Sequence, residues 1–211
     1  MRKIPDTDLY AITDSRLSLG RSLEVVVKEL LAADVKIIQY REKHKKSGEM
    51  LKECQMLRQM TARAGAFFIV NDHVDIAALV KADGVHIGQE DIPIAQVREL
   101  VGDDCAVGLS THSPEQAAAA IRDGADYLGV GPLFATQTKE DVCEPVGLAY
   151  LEYVASSYSI PFVAIGGIKR HNIAEVVKRG GRCCCLVSEL VGAPDIAARV
   201  DELRNIMRGN S

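Results

Sequence analysis

No surplus of positive charge is present: 25 Lys and Arg stand against 29 Asp and Glu, a formal net charge of -4 at pH 7. Neither nucleic acid nor an anionic membrane surface is an expected partner, because both select for a basic face. Any anionic ligand must therefore be met by local cations. An apolar run near the start is also missing, since Arg2, Lys3, Asp6 and Asp8 fall within the first eight residues. No later stretch approaches the roughly 20 apolar residues of a spanning helix. A cytoplasmic protein is the expectation. Six cysteines are present, but a disulfide framework belongs to short exported chains, so free thiols are expected.

Several catalytic signatures are absent too. There is no G-x-S-x-G elbow, no H-E-x-x-H and no Walker P-loop, which removes support for triad hydrolysis, zinc proteolysis and P-loop chemistry. No linker or low-complexity tract interrupts the chain. With 211 residues, 47% of them hydrophobic, one core and a single domain spanning 1–211 are expected.

What is there is a regular alternation. Eight short β-rich runs are predicted as strands: Leu9 to Thr13, Val35 to Tyr40, Ala66 to Val70, Gly84 to Ile87, Ala106 to Leu109, Tyr127 to Val130, Pro161 to Ile165 and Cys183 to Val187. Most are nearly all apolar, as strands covered on both faces are. Between them lie segments with helical spacing, such as Leu23, Val26, Val27, Leu30 and Leu31, or Leu51, Cys54, Leu57 and Met60. Ser113-Pro114-Glu115-Gln116 predicts a helix start with a capping Ser and a reciprocal Gln. Gly124, Gly180 and Gly209 stand where left-handed residues end helices. Eight strand and helix pairs in this length fit an α/β fold of the closed (β/α)8 type, the TIM barrel. The competitor, an open doubly wound sheet, would carry a glycine-rich first turn, where this chain has Thr13-Asp14-Ser15-Arg16.

In such a barrel the functional residues follow the strands. Gln39, Arg41, Glu42 and Lys43 follow the second run; Asn71 and Asp72 the third; Gln89, Glu90 and Asp91 the fourth; Ser110 the fifth. Thr136, Thr138 and Lys139 lie in the sixth loop, Gly166-Gly167 in the seventh, and Ser188 after the eighth. Asp72 and Asp91 end adjacent strands, which run about 4.8 Å apart. Their carboxylates suit one hard cation, and magnesium fits best, since zinc would call for His and Cys ligands that are not clustered. Taken singly, either Asp is more readily a helix cap. Arg41, Lys43 and Lys139 suit a polyanion such as pyrophosphate, and the Gly166-Gly167 and Val187-Ser188 loops suit a phosphate monoester. Two anion sites, one of them beside metal ligands, make a transfer reaction plausible. His44, His73, His86 and His171 show no ligand spacing and read as structural or surface residues. Cys183, Cys184 and Cys185 read as packing residues, the outer two on one face of the last strand and the middle one on the other.

With these residues placed, nearly the whole chain resembles the thiamine-phosphate synthase family. The matching segments are Leu9-Tyr10-Ala11-Ile12-Thr13-Asp14, Gln39-Tyr40-Arg41-Glu42-Lys43, Asn71-Asp72, and Ala82-Asp83-Gly84-Val85-His86-Ile87-Gly88-Gln89-Glu90-Asp91. Gly129-Val130-Gly131-Pro132, Thr136-Gln137-Thr138-Lys139 and Ala164-Ile165-Gly166-Gly167-Ile168 complete the pattern. The resemblance implies a magnesium-dependent transferase of thiamine biosynthesis. It would join hydroxymethylpyrimidine diphosphate to hydroxyethylthiazole phosphate, giving thiamine monophosphate and pyrophosphate. It further implies that Gln39, Tyr40, Arg41, Glu42, Lys43, Asn71, Ser110 and Lys139 bind the pyrimidine diphosphate, and that Asp72 and Asp91 hold magnesium. Thr136, Gln137, Thr138, Gly167, Val187 and Ser188 would bind the thiazole phosphate, and Arg41, Lys43, Ser110 and Lys139 would be the catalytic side chains. The expected partners are these small molecules; the oligomeric state stays open, a homo-oligomer being compatible. Two departures stand out: Asp34 where the family usually has Gly, and the three cysteines where it has small aliphatic residues. A related thiazole tautomerase and a non-catalytic phosphate sensor on the same barrel are the rival readings; paired Asp72 and Asp91 favour the synthase over both.

Overall fold

Runs of three to six residues, buried along most of their length, generate the architecture. The computed structural model describes residues 3–136, 138 and 143–209. Its elements in chain order are β1 (Leu9–Ile12), α1 (Leu23–Ala32), β2 (Ile37–Tyr40), α2 (Ser47–Ala64), β3 (Phe67–Asn71), α3 (Val74–Val80), β4 (Gly84–Ile87) and α4 (Ile94–Val101). They continue with β5 (Ala106–Thr111), α5 (Pro114–Arg122), β6 (Tyr127–Val130), α6 (Gly147–Ser157), β7 (Phe162–Ile165), α7 (Ile173–Lys178), β8 (Cys184–Leu186), α8 (Ser188–Val191) and α9 (Ile196–Arg208). Each strand pairs in parallel with the next, and β8 returns to β1 through Leu9↔Cys184, Tyr10↔Cys185 and Ala11↔Leu186. That closure makes the (β/α)8 barrel and excludes the open sheet. No helix among the described residues is long and apolar enough to cross a membrane.

Strand alternation divides the core in two. Tyr10, Ile12, Ile37, Phe67, Ile69, Ala106, Tyr127, Val163, Cys183 and Cys185 fill the barrel interior. Leu9, Ala11, Ile38, Tyr40, Phe68 and Val70 point outward, into the layer shared with Val27, Leu30, Cys54 and Leu57 of the helices. Burying a Leu, Ile or Phe contributes about 1.5–3 kcal/mol relative to exposure, so both layers hold the barrel closed. Cys183 and Cys185 face inward while Cys184 faces the helices, as the alternation predicts. All six cysteines are free, and burial pushes the Cys184 thiol up to about 12. Such thiols are apolar filler at neutral pH.

The local signals held with two corrections. Ser113 caps α5 by accepting the Gln116 N–H at 3.3 Å, but the Gln116 side chain accepts the N–H of His112, not of Ser113. Gly124 and Gly180 adopt φ 93°, whereas Gly209 is right-handed at φ -69°. The α9 end is a plain continuation of helical geometry there, with the Gly209 N–H bonded to Asn205. Asp34, the departure from Gly, is itself left-handed at φ 59°. Asp34 pairs with Lys36, and its carbonyl accepts from Arg204.

Candidate active site

The carboxyl ends of the strands form one mouth. On β2 the inward positions are Ile37 and Gln39, so Arg41 continues the inward series and Tyr40 does not. Tyr40 is buried against α2, its hydroxyl donating to Glu53 at 2.6 Å, which places its side chain behind the barrel wall. Arg41 is anchored twice: its N–H donates to the Thr13 hydroxyl at 3.2 Å, and its guanidinium meets the buried Asp14 carboxylate at 3.4 Å. Glu42 is buried and folded back on its own loop. Its Oε1 accepts the N–H groups of Lys43 (2.9 Å) and His44 (3.2 Å), and Oε2 accepts the Ser15 hydroxyl at 2.9 Å. Burial pushes the Glu42 carboxyl up, yet those bonds together with the Lys45 charge outweigh it, leaving its pKa below the ordinary carboxylate value. Glu42 thus shapes the turn that presents Arg41 and Lys43.

Lys43 reaches across to β3, where its Nζ lies 2.5 Å from Asp72 Oδ2. Asp72 sits one residue beyond the strand in the left-handed region, φ 59°, with its N–H bonded to the His86 carbonyl of β4. Asp91 folds back onto the end of β4, its Oδ2 accepting the Gly88 N–H at 2.6 Å. Asn71 and His86 are register partners, so Asp72 and the Asp91 carboxylate stand at the ends of neighbouring strands. Among the described residues there is no group of three or more His, Cys, Asp and Glu able to hold an ion; the Asp72 and Asp91 carboxylates are engaged by Lys43 and by the Gly88 N–H respectively. Carboxylate oxygens are the donor type that a hard cation such as magnesium takes, with phosphate and water completing its shell.

The second half of the mouth is stitched by close backbone contacts. Leu133 and Phe134, in the loop after β6, donate N–H bonds to the Ile165 and Gly166 carbonyls at 2.9 and 3.0 Å. A Cβ on Gly167 would lie 2.6 Å from the Ala135 carbonyl oxygen, so the turn at φ 65° tolerates only glycine. Farther along the same loop the Thr136 and Thr138 hydroxyls are 3.2 Å apart. Val187 packs at the edge of the barrel interior and caps α8, which Ser188 opens. Gln137 and Lys139 lie outside the described residues.

Two parts of the site were missed from sequence. Lys169, just past the glycine pair, puts Nζ 2.5 Å from the Ser188 hydroxyl and 3.6 Å from Glu189, so it bridges the seventh and eighth loops. A cation two residues after a glycine turn was its available signal. The second is a polar chain in the barrel centre: Gln39 Nε2 donates to the Tyr10 hydroxyl at 2.6 Å, Tyr10 meets Tyr127 at 3.4 Å, Tyr127 meets His86 Nδ1 at 3.0 Å, and His86 Nε2 meets the Ser110 hydroxyl at 3.0 Å. Gln89 Nε2 supports the same position by donating to the Ser110 carbonyl at 2.6 Å. His86 is a hydrogen-bonded residue of the barrel centre.

A closed parallel barrel with Arg41, Lys43 and Asp72 at one part of its mouth, and a glycine turn beside Lys169 at another, defines a (β/α)8 barrel protein with charged side chains gathered at the carboxyl ends of its strands. A family model described as thiamine monophosphate synthase matches residues 9–190. A thiamine-phosphate synthase of Lawsonia intracellularis is 61% identical over 199 residues, 94% of this chain and 92% of that one. One from Pelotomaculum thermopropionicum is 59% identical over 202 residues, covering 96% and 93%. Among solved structures, a thiamine phosphate pyrophosphorylase from Pyrococcus furiosus superposes with a TM-score of 0.87 at 38% identity, over 97% of each chain. The chain belongs to the thiamine monophosphate synthase family.

Proposed function

We propose that this protein is a transferase that couples hydroxymethylpyrimidine diphosphate to hydroxyethylthiazole phosphate, producing thiamine monophosphate and pyrophosphate. The reading is supported by where the charged and glycine residues fall at the carboxyl ends of the strands, Arg41 and Lys43 near Asp72 and Asp91 at one part of the mouth and Gly167, Lys169 and Ser188 at another, which we read as two anion sites. In the reaction the bond between the pyrimidine methylene carbon and the diphosphate oxygen breaks, the aminopyrimidine stabilises the positive carbon, and the thiazole nitrogen bonds to it. No covalent enzyme intermediate is needed.

The protein's part is to hold the two substrates in register and to receive charge on the departing diphosphate. Arg41 and Lys43 meet that charge from β2, with Lys139 proposed to add a third cation. Asn71 and Ser110 orient the pyrimidine end, while Thr136, Thr138, Gly167, Val187 and Ser188 hold the thiazole phosphate. Asp72 and Asp91 would hold magnesium, which when bound neutralises phosphate charge and lowers the barrier to departure. At 4 Å and an effective dielectric near 20, each unit charge pair amounts to about 4 kcal/mol before desolvation.

The test is direct. Purified protein given both phosphorylated substrates and magnesium is expected to release thiamine monophosphate and pyrophosphate in equal amounts, followed by chromatography and a coupled phosphate assay. Isomerisation of the thiazole substrate without coupling would move the protein to tautomerase chemistry, and binding without turnover would make it a sensor.

A further inference from the structure

The interior chain joining Gln39 to Ser110 has a direction, and the direction follows from counting protons. Gln39 Nε2 can only donate, so the Tyr10 oxygen is an acceptor on that side. If the Tyr10 hydroxyl then donates to Tyr127, Tyr127 donates to His86 Nδ1, and His86 Nε2–H donates to Ser110, each tyrosine hydroxyl gives one bond and takes one, and the Ser110 oxygen accepts one. In the opposite sense Tyr10 would accept from both Gln39 and Tyr127, and its own proton would find no acceptor among the described residues. Tyr10 and Tyr127 are fully buried, where an unmet hydroxyl donor is costly. Burial raises the pKa of both phenols.

We infer that Tyr10, Tyr127 and His86 are positioning residues for the coupling reaction: they fix His86 as the Nε2–H tautomer, so that Ser110, its oxygen already engaged as an acceptor, turns its own proton toward the pyrimidine substrate. The consequence is selectivity for a ring that offers a nitrogen lone pair at that point, which an aminopyrimidine does. The fold makes room for this device. A Cβ on Gly108 would lie 2.1 Å from Tyr127, and one on Gly129 would lie 3.1 Å from the His86 ring, so both rings sit in slots that glycines on β5 and β6 leave open. His86 and Tyr127 also contact as tilted rings with centroids 5.4 Å apart. None of the three residues is a catalytic residue; they act through Ser110 and Gln39.

The inference rests on the proposed coupling activity, and two measurements separate its failure from the failure of that reading. The first needs no turnover: the full chain labelled with 15N-histidine, with the His86 resonances assigned by their loss in His86→Asn, should show a pyrrole-type Nε2 and a pyridine-type Nδ1. In Tyr127→Phe the same signals should move toward a mixture of tautomers. An Nδ1–H tautomer or a doubly protonated ring in the wild-type protein overturns the inference. The second is kinetic. Tyr127→Phe should lower kcat/KM for the pyrimidine diphosphate by about tenfold, the equivalent of one ordinary hydrogen bond, with KM for the thiazole phosphate unchanged. Added to Ser110→Ala, it should cost almost nothing more, because the two act in series. Additive losses, or equal losses toward both substrates, overturn the inference. His86→Gln, which keeps an N–H donor near the Nε2 position, should retain more activity than His86→Asn, and the reverse order would also refute it. Wild-type protein that couples nothing would refute the functional reading and leave the tautomer to decide the rest.

Discussion

Asp72→Asn and Asp91→Asn are each expected to lower coupling turnover by about a hundredfold or more while raising the magnesium concentration needed for half-maximal rate. Loss of a group that stabilises developing charge commonly costs about that much. The two variants differ in what else they disturb. Asp72→Asn removes the carboxylate that Lys43 meets at 2.5 Å, so it frees a cation as well as removing a ligand. Asp91→Asn keeps an oxygen to accept the Gly88 N–H, so it leaves the turn intact. Thiazole phosphate binding, on the far side of the mouth, should be nearly unchanged in both. A purely structural role predicts instead a stability loss of about 1 kcal/mol with unaltered magnesium dependence. Magnesium titrations of turnover, paired with thermal melts, distinguish the two, and an unshifted magnesium curve in both folded variants would remove the metal site.

A large loss of stability is expected at Gly108. An added methyl there would meet the Tyr127 ring at 2.1 Å and its hydroxyl oxygen at 2.5 Å. Tyr127 is fully buried and bonded to Tyr10 and His86, so it cannot swing aside without breaking both contacts. Overpacking of this kind costs about 3 kcal/mol, a fall in Tm of about 6–12 °C for a chain of this size. Gly129→Ala is the control. Its methyl would stand 3.1 Å from a His86 carbon, a contact relieved by a few tenths of an ångström, and its melt should drop much less. Equal melting temperatures for the two variants would mean that the tyrosine is not held where the hydrogen bonds place it.

How much of this was legible before the structure depended on the range of the interactions involved. Strand positions were readable because each strand is covered by the interior on one face and helices on the other, so apolar runs such as Ile37–Ile38 and Phe67–Val70 mark them directly. Their ends moved by a residue or two where hydrogen bonding, not hydropathy, sets the limit: β5 runs on through Ser110 and Thr111, beyond the apolar run. The rim residues were readable because they follow strands. Which of them face the mouth needed the alternation to be carried past the strand end: Gln39 and Arg41 share a parity, while Tyr40 and Glu42 take the other and turn to α2 and to the loop backbone. The interior chain was not readable. Tyr10 and Tyr127 are 117 positions apart and His86 and Tyr127 are 41 apart, and each sits in a strand whose local pattern looks like plain core. Gly209 shows the opposite limit, since a terminal glycine permits a left-handed end without requiring one.

The rim cations come with their own counter-charges. Arg41 is matched by Asp14, Lys43 by Asp72, and Lys169 by Glu189. From beyond a Debye length, about 8 Å at physiological ionic strength, such pairs look neutral. Among the described residues these three pairs therefore give the mouth no positive potential at long range, and diffusion of a phosphorylated ligand toward them gains little from long-range attraction. The association rate should accordingly change little when salt is raised from low to physiological concentration in stopped-flow measurements, in contrast to electrostatically steered encounters, whose rates fall steeply. Capture begins only when the ligand is close enough to take a cation from its resident carboxylate, so the affinity is set by the exchange of one partner for another within the rim.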